Sequence, residues 1–211
     1  QPRVPAQVEA ARHRGELDVL EGILVPMKYQ KGEIILKEGE VCTNIYWVVK
    51  GLVRQFYYKN NKELTEYMAT ENHICMCIES LFREEPTRLQ IQALEPTIIF
   101  AMPKPALEQA AIKNVNIQML YRKILEESLI VSQIRADMLR FESAQERYAK
   151  LVKRSPQLVL RAPLVYIASY LQMTPEKKGL KKLRFFLKKL RKLKNIMKKD
   201  IESCLKISRM V

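Results

Sequence analysis

The sequence is poor in the residues from which most catalytic and extracellular sites are built. Histidine occurs twice, at His13 and His73, tryptophan once and glycine six times among 211 residues. With no nucleophile elbow and no Gly-rich phosphate loop, catalysis would have to work from scattered carboxylates, and the chain is expected not to be an enzyme. The four cysteines, Cys42, Cys75, Cys77 and Cys204, include no C-x-x-C pair. That gives no disulfide framework and no zinc ribbon, so free thiols are the default. No window of about 18 residues is free of charge, and no apolar signal core opens the sequence. A cytoplasmic protein without a membrane span is therefore expected.

What is present suffices for a packed core, with 47% hydrophobic and 28% charged residues. The formal charge of +14 is concentrated at one end. Residues 1–176 hold 23 basic and 21 acidic side chains, whereas residues 177–211 hold 14 basic and 2 acidic. A block of this sign seeks polyanions such as nucleic acid or anionic lipid, or stays solvated.

Residues 6–24 are helix-like, with Val8, Leu17, Leu20, Ile23 and Leu24 available for an apolar face. From Pro26 the pattern becomes β-rich, with expected strands at 33–36, 44–49, 52–58, 64–68, 89–94 and 97–102. Lys31-Gly32, Glu38-Gly39-Glu40, Lys50-Gly51 and Asn60-Asn61 supply the turns between them. Short strands at this spacing predict a closed sandwich or jelly roll. After Pro103 a short helix over about 105–112 leads into a longer one of roughly 25 residues. There Ile117, Leu120, Ile124, Val131, Ile134, Met138 and Phe141 follow heptad spacing, and only Glu127 interrupts the stripe. The stripe reads as a coiled-coil dimer contact, or as the buried face of a core helix packed on its own sheet. Leu125, Leu129, Ala136 and Leu139 form a second face that could pack on the sheet. Ser143 with Glu146 fits a capping box that opens a further helix ending near Pro156. The run LVYIASYLQMTPE at 164–176 then reads as helix, tight turn and the start of another helix, with Ile167, Ala168 and Leu171 inward.

Four segments in this order carry a family resemblance: KGEIILKEGE at 31–40, IYWVVKGLVRQFY at 45–57, ESLFREEPTRLQIQALEPT at 79–97 and PLVYIASYLQMTPE at 163–176. Over about residues 20–176 the chain resembles the Crp/Fnr family of bacterial transcription regulators. The resemblance implies an α+β fold, with an N-terminal double-stranded β-helix jelly roll, a long dimerisation helix and a C-terminal helix-turn-helix (winged-helix-like) domain. It divides the chain into an N-terminal helix (1–24), a cyclic-nucleotide-binding-like β-roll (25–104), a dimerisation helix (105–142) and a helix-turn-helix domain with a basic tail (143–211). The seven stripe residues from Ile117 to Phe141 become the expected homodimer interface. In such proteins the roll senses an effector, and cyclic-nucleotide members hold the phosphate in a Gly-Glu and Arg-Ser cassette. Arg88 matches the cassette arginine, but its other positions fall on Cys77, Ile78 and Leu89, and Glu79 stands one residue out of register. Arg88 and Glu79 are the expected effector-pocket residues, for an unidentified small-molecule effector other than cyclic AMP. Arg88 also reads as an ordinary surface arginine.

His73, Cys75 and Cys77 at i, i+2 and i+4 would share one face of a strand. A fourth ligand is not evident, so buried thiols are the expectation, with no metal. Beyond Glu176 the stretch KKGLKKLRFFLKK stands where the family's recognition helix would lie. It lacks the family's serine, contains Gly179, and offers mostly lysine, which pairs with guanine less well than arginine does. Thr174, Lys177, Lys178, Lys181, Lys182 and Arg184 are the expected contacts to double-stranded DNA, mostly to phosphate. RNA polymerase is a further expected partner. The competing reading is a β-roll ligand-binding or scaffold protein whose basic amphipathic tail docks on a protein or membrane.

Overall fold

A computed structural model describes residues 14–173 of the chain. They fall into two compact units that meet in sequence between Arg140 and Phe141.

The first unit begins with helix α1 (Arg14–Ile23), followed by strands β1 (Val25–Tyr29), β2 (Ile34–Leu36), β3 (Asn44–Lys50), β4 (Val53–Lys59), β5 (Lys62–Ala69) and β6 (Ile74–Cys75). The short helix α2 (Ile78–Arg83), strands β7 (Gln90–Ala93) and β8 (Thr97–Pro103), and helices α3 (Lys104–Lys113) and α4 (Val115–Phe141) complete it. Two four-stranded antiparallel sheets, ordered β1-β8-β3-β6 and β2-β7-β4-β5, form the roll. Their facing sides close over Ile45, Val48, Val53, Ile91 and Ile99, all at most 1% exposed. The expected strands and the jelly-roll class agree with this architecture. The N-terminal helix is present over Arg14–Ile23, and the remainder of its expected span lies outside the described residues.

Three elements depart from expectation. β1 was not foreseen, although Val25 to Tyr29 pair with Ala101 to Thr97 along a full edge. β3 buries Ile45, Tyr46, Trp47 and Val48 consecutively, so it is covered on both faces and shows no alternation. The row of His73, Cys75 and Cys77 does not exist, because β6 has only two residues. His73 is exposed before the strand, while Cys77 stands beyond it at the start of α2 with its thiol buried, as is that of Cys75.

Helix α4 has two regimes. Ile117, Leu120 and Ile124 are buried in the same core cluster as the roll residues. Beyond them Leu129, Ile130, Val131 and Ile134 are exposed. Of the seven stripe residues, the first three are therefore spent within their own chain, and Met138 and Phe141 continue the outward part.

The second unit contains α5 (Ala144–Arg154), α6 (Pro156–Arg161) and α7 (Leu164–Tyr170). The predicted capping box opens α5: the Ser143 hydroxyl accepts from the Glu146 N–H, and the Glu146 carboxylate accepts from the Ser143 N–H at 2.8 Å. Ile167 and Leu171 are fully buried, as their spacing predicts. Arg147, nearly buried, donates to the carbonyls of Leu171 at 2.9 Å and Glu142 at 2.6 Å, tying the start of α5 to the end of α7. Gln172 then turns the chain with φ of 48°. The helix expected after this turn lies outside the described residues.

Candidate ligand site

The expected effector residues, Glu79 and Arg88, lie on the segment from α2 to β7. Glu79 sits exposed on α2 and lies 3.8 Å from Arg83, one turn away. Arg88 is exposed on the strip leading into β7. Three backbone donors of this segment are engaged within the chain. Thr87 N–H donates to the Glu40 carbonyl at 2.8 Å, Leu89 N–H to the Thr87 hydroxyl at 2.9 Å, and Glu84 N–H to the Ser80 carbonyl at 2.9 Å. The Ser80 hydroxyl accepts from Cys42 N–H and donates to the Glu85 carbonyl. A phosphate cradle needs such N–H groups free and convergent, and here they close a loop instead.

Next to this segment lie the thiols of Cys42 and Cys77, with Cys75 nearby in the same core. A hydrogen bond from the Cys77 thiol holds Cys42 down to about 7, against the opposing effect of burial. The same bond and burial push Cys77 up, and burial pushes Cys75 up. Among the described residues no group of His, Cys, Asp and Glu is arranged to hold a metal ion.

A cavity of about 200 Å³ lies elsewhere in the first unit, between the roll and α4. One wall comes from Gln55 on β4, Glu66 and Tyr67 on β5, and the 72–78 segment with His73, Ile74, Met76 and Ile78. The other wall is one face of α4 running from Ile124 to Arg135. Neither Arg88 nor Glu79 lines it; Ile78, the neighbour of Glu79, does. The side chains are fixed by bonds that can be named. Gln55 donates to the Met76 carbonyl at 2.8 Å, and Arg135 Nε donates to Glu66 at 3.1 Å, joining α4 to β5. His73 donates from Nδ1 to its neighbour's carbonyl, Glu71, at 2.9 Å. The Ser128 hydroxyl donates to the Ile124 carbonyl at 2.8 Å. Glu127 pairs with Lys123 at 3.2 Å on the helix surface.

Sequence reasoning missed these residues. One signal was available, since Glu127 is the residue that breaks the apolar stripe, on the part of α4 that faces the cavity. The expected DNA contacts Thr174, Lys177, Lys178, Lys181, Lys182 and Arg184 lie outside the described residues.

An eight-stranded roll that shares a cavity with one long helix is a recognisable fold, and the comparisons return the same fold. Residues 26–114 match the family described as "Cyclic nucleotide-binding domain". No curated protein matches this sequence. Among solved structures, FixK2 from Bradyrhizobium japonicum is similar at 22% identity and a TM-score of 0.62, over 77% of this chain and 85% of that one. The catabolite activator protein of Thermus thermophilus is similar at 21% identity and a TM-score of 0.53, over 71% of this chain and 72% of that one. A protein assigned to the crp/fnr family of transcriptional regulators, from Eubacterium rectale, gives 15% identity and a TM-score of 0.55, over 72% and 71% of the two chains. The chain is thus similar, over residues 26–114, to the cyclic nucleotide-binding domain family, and it shares its fold with these regulators. No helix among the described residues is long and apolar enough to cross a membrane.

Proposed function

We propose that the protein is a homodimeric, DNA-binding transcription regulator of the Crp/Fnr type, and that its effector, which is not cyclic AMP, binds in the cavity between the roll and α4. The observation that carries this reading is α4 itself. Its first turns complete the core of the sensor, its middle, Val131 included, lines the cavity, and its outward apolar residues Ile134 and Met138 are left for a second copy. A ligand held between roll and helix changes how two such helices meet, and so the spacing of two DNA-reading helices that must stand about 34 Å apart. The cassette segment supports an effector other than cyclic AMP, because the N–H groups of Glu84, Thr87 and Leu89 are bonded within the chain and only Arg88 matches the phosphate-binding pattern. The basic stretch after Thr174 supplies phosphate contacts, and the reading takes the domains as 1–24, 25–104, 105–142 and 143–211.

The test is removal of residues 177–211. The truncated chain should keep its dimeric mass by sedimentation and lose its affinity for duplex DNA. A truncated chain that still binds DNA, or a full chain that never binds it and instead binds anionic liposomes, would replace the regulator by the scaffold reading.

A further inference from the structure

Two cysteines far apart in sequence meet beside the cassette segment, and the regulator function proposed above makes no use of them. Cys42 lies shortly before β3, and Cys77 stands at the start of α2. Backbone bonds fix their approach. Cys42 N–H donates to the Ser80 hydroxyl on α2 at 2.9 Å. On either side of that bond, Thr87 N–H donates to the Glu40 carbonyl and Gly39 N–H to the Thr87 carbonyl, each at 2.8 Å, while Val41 bridges Pro86. Residues 39–42 are thereby laced to the 80–87 segment. Both cysteines are free and belong to the core cluster of the first unit, at most 2% exposed.

The side chains complete the juxtaposition. The Cys77 thiol is hydrogen-bonded to the Cys42 sulfur. Gln55 orients the Cys77 side, with its amide 3.5 Å from the Cys77 sulfur and donating to the Met76 carbonyl at 2.8 Å. Sulfurs in such contact need only side-chain rotation to reach bonding distance. The two thiols also differ in character. The bond from Cys77 holds Cys42 down to about 7 against the effect of burial, so that near neutral pH much of it is thiolate, the nucleophilic form. The same bond and burial push Cys77 up, and it keeps its proton while Cys42 is charged. Cys75, in the same cluster, is pushed up by burial.

We propose that Cys42 and Cys77 are an oxidisable dithiol, which hydrogen peroxide converts to a disulfide within one chain. The Cys42 thiolate attacks one peroxide oxygen and the O–O bond breaks. Cys42 becomes a sulfenic acid, and the hydroxide released takes up the proton that Cys42 had given to solvent. The Cys77 sulfur then attacks the Cys42 sulfur, the S–O bond breaks, and the second hydroxide leaves as water with the Cys77 proton. Two thiols and one peroxide give one disulfide and two waters, and two electrons pass from the sulfurs to the peroxide. Burial selects the oxidant: hydrogen peroxide is small and uncharged, whereas glutathione disulfide is too large for sulfurs this enclosed.

The reduced full chain, treated with hydrogen peroxide in native buffer, is then unfolded in iodoacetamide, digested with trypsin without reductant and mapped by tandem mass spectrometry. Cleavage after Lys37 and Lys50 isolates Cys42, and cleavage after Lys62 and Arg83 leaves Cys75 and Cys77 on one peptide, within which fragmentation locates the bond. The expected product is a link from Cys42 to Cys77 that dithiothreitol reverses. Its rate should rise about tenfold between about pH 6 and pH 8, following the thiolate fraction of Cys42, where a thiol of ordinary value would give about a hundredfold rise. In Cys77→Ser the Cys42 sulfenic acid should persist and be captured by dimedone, and in Cys42→Ser the Cys77 thiol should stay reduced. Mapping of the unaltered chain decides the matter if either variant fails to fold. Alkylation of both cysteines after peroxide treatment overturns the proposal, as does a link from either of them to Cys75 or Cys204, or one that forms only in urea. A hundredfold rise with pH overturns the assignment of Cys42 as the attacking thiol.

Discussion

At Gly51, between β3 and β4, the backbone adopts φ of 110°, and a Cβ built there would lie 2.8 Å from the Thr97 Cα. Both the conformation and the space exclude a side chain, and the obstructing atom is backbone, which cannot swing aside. Gly39 has φ of 85° but open space around it. Gly51→Ala should therefore cost about 2–3 kcal/mol of stability, and Gly39→Ala about 1 kcal/mol. Urea denaturation of the two variants gives the comparison, and equal costs would mean that the contact with Thr97 relaxes freely. Ser143 offers a second single-residue test. Its hydroxyl and N–H hold the Glu146 carboxyl below its ordinary value. A carboxylate whose folded value is depressed contributes stability that is present above its unfolded value and is lost as pH falls through the folded one. Ser143→Ala should cost about 1 kcal/mol at pH 7, and the cost should shrink once the solution is acidic enough to protonate Glu146. A penalty measured by thermal unfolding that is the same at pH 7 and pH 3 would remove Glu146 from the explanation.

The two regimes of α4 are the main lesson at the level of elements. Heptad spacing marks one stripe of this helix as apolar, but periodicity does not say what covers it, and within the chain only its first three residues are covered. Ile117, Leu120 and Ile124 complete the monomer core, Val131 lines the cavity, and Ile134 is exposed. Ile124→Ala should cost about 2–5 kcal/mol of folding stability. Ile134→Asp should leave monomer stability nearly intact and shift the sedimentation coefficient from dimer to monomer. A variant at Ile134 that stays dimeric would place the contact elsewhere. Most strands were legible because turn residues bound them, and the α5 helix because its capping box is local. β6 and α2 were not, since two and six residues are too few to show a period. The cavity was illegible for a different reason. Its Arg135–Glu66 pair joins residues 69 apart in sequence, a distance over which only the fold establishes contact.

At the scale of the whole molecule, the placement of charge decides the nature of the partner. Residues 1–176 are nearly neutral, while residues 177–211 carry 14 basic side chains against 2 acidic ones. Attraction to a polyanion should therefore reside in one segment, whereas the sensor contributes geometry. Binding carried mostly by lysine is binding to phosphate, and each phosphate neutralised releases counterions, so affinity falls with the logarithm of salt concentration. With six or more contacts per dimer, raising salt from about 50 to about 200 mM should weaken duplex binding by about a thousandfold or more. Lys181→Gln should lower the slope by about 1 for each copy bound and weaken unrelated sequences equally. Arg184, the one expected contact able to form a paired bond to guanine, should behave differently: Arg184→Gln should weaken the preferred sequence more than a random one. Fluorescence anisotropy with both duplexes across a salt series measures the two effects together. A slope near zero would mean that the tail does not engage the DNA backbone, and the partner of this segment would then have to be sought on a protein surface.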